Sequence, residues 1–496
     1  MVSSRVRVSL GVFLSLFLLL VGVTPAAAVS YWVPVGSHVA GANNSQWRTD
    51  LGLMNPNDTT AIIQIRLHTA QGVRTDDSFV PASSQLIVAD VVGQLGYNGS
   101  GVLEVVSSQP LKVSSRTFNL VASNSGCYPN GTFGQDYAAF DLLDGLIVDQ
   151  VAWIGQLTED ASYRTNIGLA NFGSNPASAN VELYSGTGVK LTEYTVSLQP
   201  AEWKQENRPF AAKANQTNLS RGWAKVTVTS GIGVLAVASV IDNRTNDPTT
   251  FYAKRVDLTQ QGVDQTVFVP VAIHAGGANN SQWRTDLGVL NPNADAVGFD
   301  VVLHAAGGDR TSTALVGAGD QSILVDVVGQ LGYNGSGVLE VRSDHPLVVS
   351  SRTYNLVAAN ASCYPNGTFG QDYAAFKSTE GIHGNTQVFI GQLTENSSYR
   401  TNIGLANIGP GPATVLVELF NATGTRLADY TVSLQPGEWK QENRPFATFG
   451  GQSDMAAGAA RVTVSPGTVT SGISVLVMGS VIDNLTNDPT TFAAIR

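Results

Sequence analysis

Apolar and polar positions alternate most clearly in a nine-residue stretch that occurs four times, at residues 47–55, 163–171, 283–291 and 399–407. Read with a period of two, one face of the first copy is mostly apolar and the other mostly polar. The pattern predicts a half-buried β-strand. Its inward face consists of Trp47, Thr49, Leu51, Leu53 and Asn55.

The outward face of this strand carries Arg48, Asp50 and Gly52. Because Arg48 and Asp50 are two residues apart, we expect them to lie side by side as an ion pair. Asn166 and Asn402 replace the aspartate in two of the copies, which favours a structural pair over a catalytic one. Glycine at position 52 predicts a bulge or a close approach by another part of the chain.

The chain is a tandem duplication. The segment at 90–105 recurs unchanged at 326–341, and the nine-residue stretch returns at the same spacing of 236 residues. A weaker repeat of 116 residues lies inside each copy. We therefore predict four modules after an N-terminal segment 1–28, with bounds 29–145, 146–262, 263–381 and 382–496. The connections are short, so we expect the modules to pack end to end.

Each module shows several short strand patterns with turn signals about every ten residues. The first opens at 31–35, where Pro34 suits a sheet edge, and Asp90 is placed to cap one helical turn. The spacing predicts an all-β fold of four β-sandwich modules, arranged as two copies of a two-module unit. The pattern resembles the immunoglobulin-like and fibronectin-like modules of exported bacterial proteins, a resemblance that implies adhesion, spacing or carbohydrate contact.

The N-terminus has the form of a secretory signal peptide. Arg5 and Arg7 precede an apolar run at 10–23, and Ala26 to Ala28 form a small-residue cleavage site. We expect a secreted or extracellular protein, with the periplasm or the cell surface as alternatives and no transmembrane anchor. The net charge of −10, without a basic patch, argues against nucleic acid as a partner.

Cys127 and Cys363 are 236 residues apart and occupy equivalent positions in the two copies. Three states remain open for them: a disulfide within the chain, a bridge between two chains, or free, partly buried thiols.

Few residues suggest chemistry. Motifs for nucleotide, dinucleotide or zinc-protease sites are missing from the sequence, so we expect no cofactor. His38 and His68 are weak catalytic candidates. Two oxygen-rich segments are weak calcium candidates, although their Asn-Asp-Pro sequence favours plain turns; their carboxylates are Asp242, Asp247, Asp483 and Asp488.

Trp203 and Trp439 lie among charged residues in two equivalent segments. If exposed, they are candidates for stacking on sugar rings. The alternative is a partly buried anchor between modules.

The leading hypothesis is a secreted, non-enzymatic repeat protein that acts as a structural or adhesive component of the cell surface or extracellular matrix. Its partners would be a polysaccharide or a cell-surface protein. A carbohydrate-binding protein that uses exposed tryptophans is the first alternative, and a secreted hydrolase is the second. Self-assembly by strand exchange is also consistent with the pattern.

Overall fold

The computed structural model describes residues 28–465 and 472–496, so the predicted signal peptide, apart from Ala28, lies outside the described residues. The fold is all-β, with several sheets and only short helices. We refer to residues 29–262 as the first unit and to residues 263–496 as the second unit.

The first eight strands form one sheet in the order β4-β3-β6-β1-β2-β7-β8, with β5 paired to β2. A single helical turn, α1 (Val91–Gln94), follows β5, and Asp90 caps it by accepting from Gly93 N, as predicted. The strands are β1 (Val29–Ala40), β2 (Gln46–Met54), β3 (Ala61–Thr69), β4 (Gly72–Val80), β5 (Gln85–Val88), β6 (Gly99–Ser107), β7 (Lys112–Leu120) and β8 (Thr132–Asp136).

The rest of the first unit forms two sheets, β10-β15-β12-β13 and β14-β11-β16-β17, with β9 paired to β16. Helix α2 (Pro209–Ala214) follows β14. The strands are β9 (Leu146–Ile147), β10 (Val151–Glu159), β11 (Tyr163–Asn171), β12 (Ala177–Tyr184), β13 (Lys190–Leu198), β14 (Trp203–Asn207), β15 (Leu219–Ser230), β16 (Ile232–Asp242) and β17 (Pro248–Tyr252).

The second unit repeats both arrangements. Its first sheet has the order β21-β20-β23-β18-β19-β24-β25, with β22 paired to β19. The strands are β18 (Val267–Gly276), β19 (Gln282–Leu290), β20 (Val297–Ala305), β21 (Arg310–Val316), β22 (Gln321–Leu324), β23 (Gly335–Arg342), β24 (Val348–Leu356) and β25 (Thr368–Asp372), with helix α3 at Val327–Gln330.

The last two sheets have the orders β26-β31-β28-β29 and β30-β27-β32-β33. The strands are β26 (Gln387–Glu395), β27 (Tyr399–Asn407), β28 (Ala413–Asn421), β29 (Arg426–Leu434), β30 (Trp439–Asn443), β31 (Met455–Val464), β32 (Val475–Asp483) and β33 (Pro489–Ala493), with helix α4 at Pro445–Thr448.

The hydrophobic core follows the predicted alternation. Leu51 and Leu53 of β2 are fully buried and share one cluster with Ile63 and Ile65 of β3. Since β2 and β3 do not pair, their inward faces must meet across this core rather than along a sheet. We call β1–β8, β9–β17, β18–β25 and β26–β33 the four strand groups. Equivalent hydrophobic clusters lie in the second, third and fourth groups.

The opening strand differs from the prediction. Strand β1 is longer than 31–35 and lies inside the sheet, paired with β6 along its first part and with β2 at its end. Pro34 is therefore not at an edge. It lies where the β1–β6 register shifts between Val33 and Gly36, and such a bulge accommodates a residue without an N–H.

The expected end-to-end packing is wrong, because β8 of the first strand group contacts β32 of the last. Thr132 N donates to Asp483 Oδ2 at 2.9 Å, and the equivalent Thr368 N donates to Asp242 Oδ2 at 2.9 Å. Each contact thus occurs twice with the roles of the units exchanged, as in a two-fold symmetric dimer. The two units form an internal pseudo-dimer.

A second reciprocal contact explains the predicted close approach at Gly52. The side chain of Gln392 lies over Gly52 in the space that a Cβ would occupy. Gln392 N donates to Gln85 Oε1 at 2.7 Å, and Gln392 Nε2 donates to Ser114 Oγ at 2.8 Å. Gln156 occupies the equivalent place over Gly288.

The two cysteines meet where equivalent parts of the units face each other. Cys127 and Cys363 form a disulfide, with their Cα atoms 5.6 Å apart. Beside it, the rings of Phe133 and Phe369 stack with centroids 5.1 Å apart. Of the three states left open by the sequence, the structure shows the bridge within the chain, a bond compatible with an extracellular protein.

Candidate functional site

A cleft of about 510 Å³ lies in the first unit, between strands β1 and β2 on one side and β11 and β14 on the other. Its lining combines two tryptophans, two arginines, three side-chain amides and several hydroxyls. The residues used below are Ser37, Trp47, Ser100, Arg164, Asn166, Trp203, Gln205, Asn207 and Arg208.

Trp203 is half-buried and lines the cleft. Strand pairing sets Trp203 opposite Ala170, and its six-membered ring reaches over Gly168, where a Cβ would collide with it. The ring also packs against the hydrophobic cluster of the preceding strand group. Trp203 is therefore an anchor between two strand groups that also lines the cleft.

Trp439, the equivalent residue of the second unit, is half-buried in the same way. It lies over Gly404 and packs against a small cluster that includes Phe268 and Leu476. The anchor is thus repeated in both units.

The two arginines of the cleft are held differently. Arg164 donates from Nη1 to Asn243 Oδ1 at 2.8 Å and from Nη2 to Asn246 Oδ1 at 3.0 Å. Arg208 donates from Nε to Glu159 Oε1 at 2.6 Å. Burial lowers the pKa of Arg164, and the positive charge of Arg208 adds to this effect.

Arg208 has a left-handed backbone, with φ 51° and ψ 50°. This conformation is uncommon for a residue other than glycine, and such residues cluster at functional sites. Arg208 N donates to Asn166 Oδ1 at 3.3 Å, which helps to hold the turn. The same conformation recurs at Arg444 of the second unit, with φ 50° and ψ 54°.

The weak calcium candidates serve the contact between the units. Asp242 and Asp483 are buried, and each also closes its own turn: Asp242 Oδ1 accepts from Arg244 N at 2.7 Å. Asp247 Oδ2 accepts from Gly370 N at 2.6 Å, and Asp488 makes the equivalent bond to Gly134 N. In the described parts of the chain, no three or more His, Cys, Asp or Glu residues form a group that could hold a metal ion.

Burial also perturbs the acids near this contact. It raises the pKa of Asp136 to about 8 and that of Asp372 to about 7. Both residues line a second cavity, of about 680 Å³, between the two units. Burial raises the pKa values of Asp247 and Asp488 well above their usual range as well.

The two candidate histidines pair with carboxylates. His38 Nδ1 lies 2.8 Å from Asp90 Oδ2, and His68 Nε2 lies 3.0 Å from Glu104 Oε2. The hydroxyl of Ser37, next to His38 along the chain, is 2.9 Å from Ser100 Oγ. In the second unit, isoleucine occupies the position of Ser37, so the serine beside the histidine–aspartate pair is not repeated.

The predicted pair between Arg48 and Asp50 is wrong. Arg48 Nε lies 3.7 Å from Asp90 Oδ2, whereas Asp50 Oδ1 accepts a hydrogen bond from Asp90 N at 2.8 Å. The helical turn brings Asp90 between the two side chains. Burial raises the pKa of Asp50.

Comparison with known proteins gives little. No protein-family model and no curated protein match the chain. A solved structure of a tetra-tandem repeat in the extending region of a large adhesion protein is 10% identical, covers 89% of this chain and 93% of that one, and has a TM-score of 0.10. Dimeric latent PorU from Porphyromonas gingivalis is 10% identical, covers 76% of this chain and 31% of that one, and has a TM-score of 0.14. Such low TM-scores support no argument about function.

Among the helices of the described residues, none has the length and apolar character needed to cross a membrane.

Sequence reasoning found Trp203 but missed the rest of the cleft. Arg208 lies five residues beyond Trp203 in the same repeated segment, and that repetition was the available signal. Trp47 was predicted to face the core, yet it is half-buried at the cleft. Arg164 was noticed only as part of a repeated strand.

Proposed function

We propose that the protein is an exported, non-enzymatic repeat protein that acts as a structural or adhesive component of the cell surface or extracellular matrix. In this proposal its four strand groups are immunoglobulin-like β-sandwich modules with the bounds 29–145, 146–262, 263–381 and 382–496. The strand orders of the first unit recur in the second, and each group has a main hydrophobic cluster, that of the first group also taking in Ala170, Phe172, Leu235 and Val237 of the second.

The observation that carries the proposal is the closed pseudo-dimer. Reciprocal contacts and the Cys127–Cys363 bridge fasten the two units into one block. The carboxylates that suggested metal chemistry are used as acceptors in these contacts. A covalently closed block with repeated surfaces suits a load-bearing or contact role.

Co-sedimentation of the mature protein with bacterial cells and with insoluble polysaccharides tests this role. We expect saturable pelleting with one of them and no release of reducing ends from the polysaccharide. Absence of pelleting under all conditions contradicts adhesion. Release of soluble sugar that disappears in a His38→Gln, His274→Gln double variant would instead identify a hydrolase.

The cleft favours carbohydrate binding as the second candidate function. Half-buried Trp47 and Trp203 offer flat apolar surfaces, and the neighbouring amides and hydroxyls match the hydroxyl groups of a sugar. Its volume falls within the range of small-ligand sites. We expect the Trp203→Phe, Trp439→Phe double variant to weaken binding to a glycan array, and Trp223→Phe, at a tryptophan that stacks on Tyr184 outside the cleft, to leave it unchanged.

A further inference from the structure

We propose that the cleft of the first unit binds a short acidic saccharide, with the sugar carboxylate on the guanidinium of Arg208. This inference rests on the proposed carbohydrate-binding function and adds the charge class of the ligand. Two observations support it. The wall of the cleft is positively charged, and Arg208 uses only its Nε for a hydrogen bond to Glu159, which leaves the side of the guanidinium with the two Nη groups for a ligand.

The wall of the cleft is positive although the protein is acidic. The chain has a net charge of −10, yet none of the described residues that line the cleft is Asp or Glu, and two are arginines. The guanidinium of Arg208 is close enough for its positive charge to act on Arg164, and two cationic groups at one wall attract an anion into the space before them.

The acids nearest to these arginines lie behind the wall and are already engaged. Glu159 is fully buried, and its Oε2 accepts from Thr165 N at 3.2 Å in addition to the bond from Arg208. Both oxygens of Asp242 accept hydrogen bonds within its turn or from Thr368. These carboxylates balance the buried charge without occupying the cleft.

Arg208 is the arginine that can receive a ligand. Both amino groups of Arg164 are bonded to the turn amides. Arg208, by contrast, uses Nε for Glu159, half of its side chain is exposed, and among the described residues its two Nη groups have no assigned acceptor. A guanidinium with a free edge binds a carboxylate through two parallel hydrogen bonds.

A saccharide fits the remaining wall better than a nucleic acid. Trp47 and Trp203 supply ring faces, the amide nitrogen of Asn166 supplies a donor, and the amide oxygen of Gln205 supplies an acceptor for hydroxyl groups. A nucleic acid carries one charge about every 1.7 Å of duplex, and the net charge of −10 opposes such a polymer. A short acidic saccharide brings only a few charges to the cleft.

The second unit carries the same elements. Arg444 has the same left-handed backbone, its Nε lies 3.7 Å from Glu395, and Trp439 precedes it at the same spacing. A test by mutation must therefore change both arginines.

The experiment is isothermal titration of the mature protein with trigalacturonic acid and with its fully methyl-esterified form, which has the same rings without the charges. We expect the acid to bind at least tenfold more tightly than the ester. The Arg208→Gln, Arg444→Gln variant should lose at least tenfold in affinity for the acid, whereas Arg221→Gln, at an exposed arginine outside the cleft, should lose less than twofold.

The outcomes separate the two proposals. Equal or tighter binding of the ester overturns the acidic class but leaves carbohydrate binding standing. If neither form binds, and a panel of other acidic and neutral oligosaccharides also fails, both proposals fall. Binding of a single-stranded DNA oligomer that competes with trigalacturonic acid overturns the saccharide class. The comparison of acid with ester needs only the wild-type protein, so it decides the question even if the double variant fails to fold.

Discussion

The Cys127–Cys363 bridge gives the most quantitative prediction. It closes a loop of 236 residues, and the loop-closure relation then gives an entropy loss in the unfolded chain of about 18 cal/mol/K, or about 5.5 kcal/mol at 25 °C. Residual structure in the unfolded chain lowers this value. We therefore expect removal of the bridge to lower the free energy of unfolding by ~3–5 kcal/mol.

The assay is equilibrium unfolding in urea, followed by tryptophan fluorescence, for the wild type and for Cys127→Ser, Cys363→Ser and the double variant. Since each substitution removes the same bond, the three variants should lose the same free energy. In reducing buffer the wild type should unfold at the same urea concentration as the variants. Additive losses in the single variants, or a wild type indifferent to reductant, would refute the reasoning.

Three further predictions concern packing, protonation and the contact between units. Gly168→Ala should displace the ring of Trp203, shift its fluorescence and cost ~1–3 kcal/mol of stability. Asp136 has a pKa raised to about 8, so its contribution to stability should fall by ~1.4 kcal/mol per pH unit between about pH 4 and pH 8. Asp136→Asn should reduce the pH slope by this amount in urea titrations at several pH values, while Asp372, whose pKa is also raised, keeps its own contribution. Gln392→Ala removes the buried hydrogen bond from Nε2 to Ser114 Oγ between the units, while the bond from its backbone N remains, and should cost ~1–3 kcal/mol, as should Gln156→Ala at the equivalent contact.

Each of these predictions has a control or a contradicting result. Gly126→Ala, at a glycine where an added Cβ would meet no other atom within 4 Å, should change neither stability nor fluorescence. A variant at Asp136 that keeps the wild-type pH slope shows that this carboxyl is ionised in the folded protein. If the two glutamine variants differ by more than the measurement error, the two contacts are not equivalent.

The sequence predicted those parts of the fold that depend on residues close together along the chain. The alternation on β2 placed Leu51 and Leu53 in the core, and the capped turn at Asp90 formed where expected. Strand β4 was missed because it is an exposed edge strand whose sequence, 73–79, lacks an apolar face. Periodicity reports burial, so an exposed strand leaves little signal.

The candidate site and the pseudo-dimer could not be predicted in the same way. Arg208 and Trp47 come from segments that are far apart along the chain and meet only through packing. Asp483 was read as a turn residue, and it is one, but its contact with Thr132 spans 351 residues. The duplication at 236 residues was visible, yet nothing in a single repeat showed that the two copies face each other.

The pseudo-dimer determines how independently the two copies of the repeat can acquire substitutions. In a true homodimer every substitution at the interface appears twice, and association depends on protein concentration. Joining the copies in one chain gives them a high effective concentration for each other, so their association no longer depends on dilution. Each copy can then vary alone: Phe118 corresponds to Tyr354 and Tyr252 to Ala493. The duplicated chain can therefore give the surface of one copy a specificity that the equivalent surface of the other does not share.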